Sequence, residues 1–263
     1  MMARLLRRVA LFLGLFLCCC GSSAWADGKV GVVLMHGKWS NGIPLIASLA
    51  DRLQGEGYLV STPEMPWSAR RMYDVSYEDA MDEIDHAVQS LRDRGADRIV
   101  IAGHSLGANA ALGYGARHPG LLAVIALAPG HAPDLAGMRD HYAPDVERAQ
   151  AMISAGRGED TMTFVDLNQG KTRSVSIPAR VFLSYCDPQG PAVMPVNAAR
   201  LSAPLLWVVG SDDKMSDRGP SYAFDKAPAN PLNRYLLVRA NHAETPSVAA
   251  GDVVSWLRDV VAQ

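Results

Sequence analysis

Residues 103–107 read Gly103-His104-Ser105-Leu106-Gly107, a G-x-S-x-G pattern. The pentapeptide directly follows an apolar run, Arg98 to Ala102, and opens an alanine-rich helical segment, Ser105 to His118. A strand that turns sharply into a helix at a serine pushes the hydroxyl out of the sheet. Glycines are needed on both sides because side chains there would collide with the neighbouring strand and helix. The N-terminus of the helix adds positive potential beside the reacting oxygen. Such a turn is suited to nucleophilic attack on a carbonyl.

A serine hydroxyl is a weak nucleophile and needs a base. There are seven histidines, His36, His86, His104, His118, His131, His141 and His242. His86 and His118 fall on or at the end of helical segments. His104 lies inside the turn, with its side chain directed away from the hydroxyl. His131 and His141 lie in a polar insertion, and His36 suits a loop-shaping role. His242 follows the run Tyr235 to Val238 in a short loop, Ala240-Asn241-His242. That is the C-terminal edge of a parallel sheet, where sites form.

The acid that orients this histidine and stabilises its cation should leave the same edge. Val209 ends another apolar run, and Gly210-Ser211-Asp212-Asp213 follows. Asp213 is the preferred partner and Asp212 the alternative. Asp187 is more remote, since it requires the insertion to fold back. Two amides should bind the oxyanion: that of Leu106, after the nucleophile, and that of Lys38, in the loop His36-Gly37-Lys38-Trp39-Ser40 after the first strand. Trp39 is a candidate neighbouring donor or pocket wall. Trp39, Met65, Trp67 and the insertion at about 131–203 are candidates for the acyl pocket, with plain packing as the alternative for Met65 and Trp67.

The elements that must hold these residues alternate regularly. Val30 to Met35, Tyr58 to Ser61, Arg98 to Ala102, Leu121 to Ala128, Leu205 to Val209 and Tyr235 to Val238 are short apolar runs. Helical patterns separate them: a face over Asn41 to Gly55, a helix capped by Ser76 and closed by Gly95, and a last helix from Thr245-Pro246. Continuous apolar strands alternating with helices imply a parallel sheet covered on both faces. The stretch from about 131 to 203 breaks the alternation. It carries a polar helix from Asp134 to about Ala155, a hairpin around Asn168-Gln169-Gly170, a short apolar run over Val181 to Tyr185 and a proline-rich run. It reads as an insertion over one end of the sheet.

Taken together, the first-strand His36-Gly37, the turn at 103–107, the Gly210-to-Asp213 turn and the late His242 resemble the α/β-hydrolase superfamily. The order Ser…Asp…His is that family's order, and the resemblance covers nearly the whole chain after residue 26. It implies a three-layer α/β/α sandwich, trimmed here to a mostly parallel sheet of about six strands, because the first strand follows Asp27 almost directly. The insertion stands where family members carry a cap. A serine at position 105 argues against haloalkane dehalogenases, which use aspartate there, and dienelactone hydrolases, which use cysteine. The resemblance implies a serine hydrolase acting on small-molecule carboxylic esters or thioesters. Two alternatives stay open: an acyltransferase using the same triad, and a non-catalytic binding protein of this fold.

Composition sets the surroundings. Of 263 residues, 49% are hydrophobic and 20% charged, which excludes a disordered chain. The net charge of −2 offers no basic surface for nucleic acid. No P-loop, dinucleotide fingerprint or metal-ligand spacing is present, so no cofactor or metal is expected. Arg4, Arg7 and Arg8, the apolar run Val9 to Cys20 and the small-x-small site Ala24-Trp25-Ala26 read as a secretory signal peptide over residues 1–26. The apolar run is too short to span a bilayer. The domain then occupies residues 27–263, periplasmic or secreted, with a charge of −5 after cleavage. Three of the four cysteines fall in the signal, leaving Cys186 and no internal disulfide. A lipid anchor on Cys20 is the alternative to cleavage at Ala26.

Overall fold

A computed structural model describes residues 28–263; the expected signal segment and Cys20 lie outside the described residues. Strands β1 (Lys29–Met35), β2 (Leu59–Ser61), β3 (Ala96–His104) and β4 (Ala123–Leu127) alternate with helices α1 (Ala47–Gly55), α2 (Tyr77–Asp93) and α3 (Leu106–Gly115). The stretch expected as an insertion folds as α4 (Ala136–Ser154), β5 (Thr161–Asn168), β6 (Lys171–Pro178), α5 (Ala179–Cys186) and α6 (Met194–Ala198). Strands β7 (Leu205–Gly210) and β8 (Arg234–Val238) and helices α7 (Thr245–Val248) and α8 (Ala250–Val261) complete the chain. Among the described residues, no helix is long and apolar enough to cross a membrane.

The main sheet has six strands in the order β2-β1-β3-β4-β7-β8. Every neighbouring pair in it is parallel. Strands buried on both faces send alternate residues to opposite layers. Val30, Val32 and Leu34 pack with Leu49, Leu53, Val253 and Leu257 of α1 and α8. Val33 and Met35 face the other way, among Ile84, Leu91 and Leu112 of α2 and α3. This is the expected three-layer sandwich.

Local chemistry sets the element ends. Ser76 caps α2 in a reciprocal capping box with Asp79, and Gly95 closes the helix at φ +95°. The face expected to start at Asn41 becomes helical only at Ala47; Pro44 and the turn from Ile46 N–H to Ile43 O hold the preceding residues out of register. The last helix divides at Ala249 into α7 and α8. The apolar run Val181 to Tyr185 is helical and forms most of α5.

The segment between β4 and β7 covers the C-terminal end of the sheet. Strands β5 and β6 pair antiparallel through a tight turn at Gln169 (φ +48°) and Gly170 (φ +75°), the backbone that two-residue hairpins require. Phe164 of β5 stacks on Phe182 of α5 with ring centroids 4.2 Å apart. Both rings belong to the same apolar core as α2 and α3. The cap is therefore packed onto the sandwich and is not a separate body.

Candidate active site

Ser105 stands between β3 and α3 with φ +58° and ψ −119°. A positive φ is uncommon for a residue with a side chain and is held only by surrounding structure. Two glycines make this turn possible. A Cβ on Gly103 would lie 2.2 Å from the backbone of Gly107, and one on Gly107 would lie 2.6 Å from the carbonyl oxygens of Met35 and His36. The Ser105 N–H donates to Leu127 O at 3.0 Å, tying the turn to the neighbouring strand.

Three expected residues form one hydrogen-bonded line. The Ser105 hydroxyl lies 3.0 Å from His242 Nε2, and His242 Nδ1 lies 2.6 Å from Asp213 Oδ2. The natural assignment has Ser105 donating to Nε2 and Nδ1–H donating to the carboxylate. Asp213 Oδ1 also accepts the Met215 N–H at 3.0 Å. Burial raises the Asp213 carboxyl pKa, but the His242 and Met215 donors outweigh it and hold the group below its ordinary value. Asp212 is exposed, and its carboxylate accepts from the neighbouring Ser211 hydroxyl. Asp187 caps a turn at Gln189 instead.

The loop after β1 approaches the nucleophile closely: a Cβ on Gly37 would lie 2.9 Å from Ser105 Cβ. The backbone N–H groups of Lys38 and Leu106 have no acceptor among the described residues. They are the two amides expected to serve an oxyanion. His36 shapes this loop. Its Nε2 accepts the Met65 N–H at 3.0 Å, which leaves Nδ1–H to donate to Gly37 O at 2.8 Å. Burial keeps it neutral by lowering its pKa.

Other expectations need correction. The Trp39 N–H is spent on Trp67 O at 2.8 Å, so it is not an oxyanion donor. The indole of Trp39 turns to Asp166, with the Arg173 guanidinium over its ring, and does not wall the cavity. Met65 and Trp67 are fully buried and do not line the cavity at Ser105 and His242. Trp67 donates from Nε1 to His36 O, so both residues brace the loop from beneath. The residues that do line the cavity come largely from the cap. A space of about 400 Å³ opens at His242, walled by Leu135, Met138, Leu167, Met215, Lys214 and Arg218. A smaller chamber of about 40 Å³ lies over Ser105, between Lys38 and the hairpin tip Leu167–Gln169.

Three residues were not assigned functions from sequence. Gly130 follows β4 and faces the Ser105 hydroxyl. His104 donates from Nε2 to the His242 carbonyl at 2.9 Å, pinning the histidine loop to the elbow. Its place in phase with the buried Val100 and Ala102 of β3 was the available signal. Asp166 lies in phase with the buried Phe164 on β5 and is itself only 2% exposed. A carboxylate at a buried alternating position was the sign.

His104 and His131 carry a consequence for stability. Burial is the largest cause of both shifts, lowering His104 to about 4 and His131 to about 3. An unfolded histidine protonates near pH 6.5, so as the pH falls from there towards 4 the unfolded chain binds protons that the folded chain refuses. Stability therefore falls with pH. Together they should cost about 4 kcal/mol between pH 7.5 and pH 5, a drop of about 10 °C in Tm. Circular-dichroism melts at the two pH values check this, and an equal or higher Tm at pH 5 contradicts it.

The sheet order and the cap define an α/β-hydrolase. A sequence model of the serine aminopeptidase S33 family matches residues 27–243, and the chain belongs to that family. No curated protein matches it in sequence. Among solved structures it resembles one reported for the metagenome-derived lipolytic enzymes LipS and LipT, with 15% identity and a TM-score of 0.62 over 88% of this chain and 95% of that one. A monoacylglycerol lipase from Paleococcus ferrophilus shares 20% identity, with a TM-score of 0.61 over 89% of this chain and 96% of that one. Est1E from Butyrivibrio proteoclasticus, bound to ferulic acid, shares 15%, with a TM-score of 0.59 over 90% and 91%. At these identities the likeness is one of fold.

Proposed function

We propose that the protein is an exported serine hydrolase that cleaves carboxylic esters or thioesters through an acyl-serine intermediate. The observation that carries this reading is the unbroken line Asp213–His242–Ser105 beside the 400 Å³ cavity. His242 Nε2 takes the Ser105 proton as Oγ bonds to the substrate carbonyl carbon. The carbonyl oxygen becomes an oxyanion between the Lys38 and Leu106 amides. Collapse of this adduct expels the alcohol or thiol, which receives the proton from His242. Water then attacks the acyl-serine, again losing its proton to His242; the bond from the carbonyl carbon to Ser105 Oγ breaks, Oγ takes that proton back from His242, and the acid leaves. Asp213 holds Nδ1–H throughout, so Nε2 keeps the lone pair that faces Ser105.

The cavity favours esters over N-terminal peptides. Binding a free ammonium calls for a carboxylate, and among the described residues lining the cavity the one carboxylate is Asp213. That group is engaged by His242, while Lys214 and Arg218 add positive charge to the wall.

A fluorophosphonate probe tests the reading, with covalent labelling measured by mass. Stoichiometric labelling of Ser105 is expected, lost in Ser105→Ala and His242→Ala. A folded protein that takes no label would overturn it. Residues 1–26 are proposed to direct export and be removed. An intact mass of native protein beginning at Asp27 is the expected result, and a diacylated Cys20 would mark a lipoprotein instead.

A further inference from the structure

We infer that Asp166, on the cap hairpin, is a positioning residue for the oxyanion-binding loop. The inference rests on the proposed hydrolase reading, since it concerns how the Lys38 amide is held beside Ser105. Five donors converge on this one carboxylate. Lys38 Nζ and the Tyr142 hydroxyl reach Oδ1 at 2.7 and 2.9 Å, and the N–H of Leu167 reaches it at 2.9 Å. Trp39 Nε1 and the Tyr73 hydroxyl reach Oδ2, both at 2.7 Å. The Lys38 and Asp166 side chains are 2% and 3% exposed. Burial by itself raises the Asp166 pKa, but Lys38 and the neutral donors outweigh it and keep the group ionised.

Apart from Tyr73, which belongs to the segment before α2, the donors fall in two sets. Tyr142 and Leu167 belong to the cap. Lys38 and Trp39 are consecutive residues of the loop that approaches Ser105, and both give their side-chain donors to Asp166. The same loop is held at the backbone as well: Asn168 Nδ2 donates to Lys38 O at 3.3 Å, and Trp39 N–H donates to Trp67 O. Trp39 adopts φ +58°, a conformation that surrounding contacts must impose. The hairpin residues 166–168 thus fasten Lys38 from its side chain and its carbonyl, leaving its N–H without an acceptor beside the nucleophile. A buried ion pair is weak as a source of stability but strict in geometry. An oxyanion donor acts only when it is held where the charge will develop. The cap is then part of the catalytic geometry as well as the cavity wall.

Asp166→Asn removes the charge and keeps the shape. With p-nitrophenyl butyrate as substrate, it is expected to lower kcat about 10- to 100-fold, somewhat less than loss of an oxyanion donor outright. KM should stay within about twofold, because the ground state does not use the oxyanion hole. Affinity for phenylboronic acid, which forms a tetrahedral adduct on serine, should weaken by the same factor as kcat/KM falls. A merely structural role would not couple those two losses. Trp39→Phe, which spares the ion pair and removes a single donor, should lower kcat several-fold by the same pattern. It decides the matter alone if Asp166→Asn does not fold. A folded Asp166→Asn with kcat within twofold of wild type, or a change confined to KM, overturns the inference, as does an unchanged kcat in Trp39→Phe when that variant decides alone. Fluorophosphonate labelling of the wild type separates the two failures. An unlabelled wild type refutes the hydrolase reading itself, whereas a labelled, active wild type with an indifferent Asp166 refutes only the positioning role.

Discussion

Asp213→Asn should lower kcat about 10⁴-fold, while Asp212→Asn should leave it within about twofold. The two residues are adjacent, of the same type, and leave the same strand. Geometry separates them. Asp213 Oδ2 lies 2.6 Å from His242 Nδ1, and the side chain is 5% exposed. Asp212 points to solvent. An asparagine at 213 still fits and its oxygen can still take the Met215 N–H. Its NH₂ group, however, then faces Nδ1 and donates where it should accept. His242 answers by carrying its proton on Nε2, the atom that must receive the serine proton, so the base is lost without loss of fold. Steady-state kinetics of both variants, with melting temperatures as a control on folding, check this. An active Asp213→Asn, or an inactive Asp212→Asn, would remove Asp213 from the proposed mechanism.

The choice between those aspartates shows where reading the sequence stops. Continuous apolar strands, a capped helix and glycines on both sides of a serine are local signals, so the parallel sheet and the turn at Ser105 were legible. The order of the three site loops was legible too, because a parallel sheet brings all its strand ends to one edge. Two adjacent acids in one loop differ only in the direction of their side chains. That direction is fixed by the turn following β7, where Asp213 N–H bonds Gly210 O and Ser216 N–H bonds Asp213 O. No periodicity encodes it.

The loop after β1 is a case of a right position with an incomplete role. Lys38 was singled out for its backbone amide, and its side chain then proved to be half of a buried ion pair with Asp166, 128 positions away. Such a partnership depends on where the cap lands. Trp39, Met65 and Trp67 are large apolar residues near the site in sequence, which is why they suggested a pocket wall. The sandwich core took Met65 and Trp67, and Asp166 took the Trp39 indole. The cavity wall comes from the insertion, which was a candidate as a whole, through Leu135, Met138 and Leu167, and from Met215 after β7, which was not. Those residues gave no pattern of their own, because a cavity wall needs no period.

Gly130→Ala should abolish most turnover, by about 10²–10³-fold, in a protein that still folds. Gly130 follows β4, and its N–H donates to Ser105 O at 3.2 Å. A Cβ there would lie 2.9 Å from the Ser105 hydroxyl oxygen and 3.4 Å from His242 Cε1. Position 130 is not among the residues with positive φ. Alanine is therefore acceptable to the backbone, and only the space in front of the nucleophile is missing. The hydroxyl is the lightest group in the clash and the one free to turn. Rotating it away relieves the contact and breaks its bond to His242, so the serine loses its base. If His242 retreats instead, it loses Asp213. Either movement displaces reacting atoms by a fraction of an ångström to an ångström, the range in which proximity is worth orders of magnitude. Gly251→Ala is the matched control. It lies in α8 with nothing within 4 Å of the added methyl, and it should leave turnover unchanged while raising stability by up to about 1 kcal/mol. Kinetics and thermal melts of the pair, with fluorophosphonate labelling rates, make the comparison. A Gly130→Ala protein that labels and turns over at the wild-type rate would mean that the Ser105 hydroxyl reacts from some other orientation, and the hydrogen-bonded line to Asp213 would lose its claim to be the catalytic one.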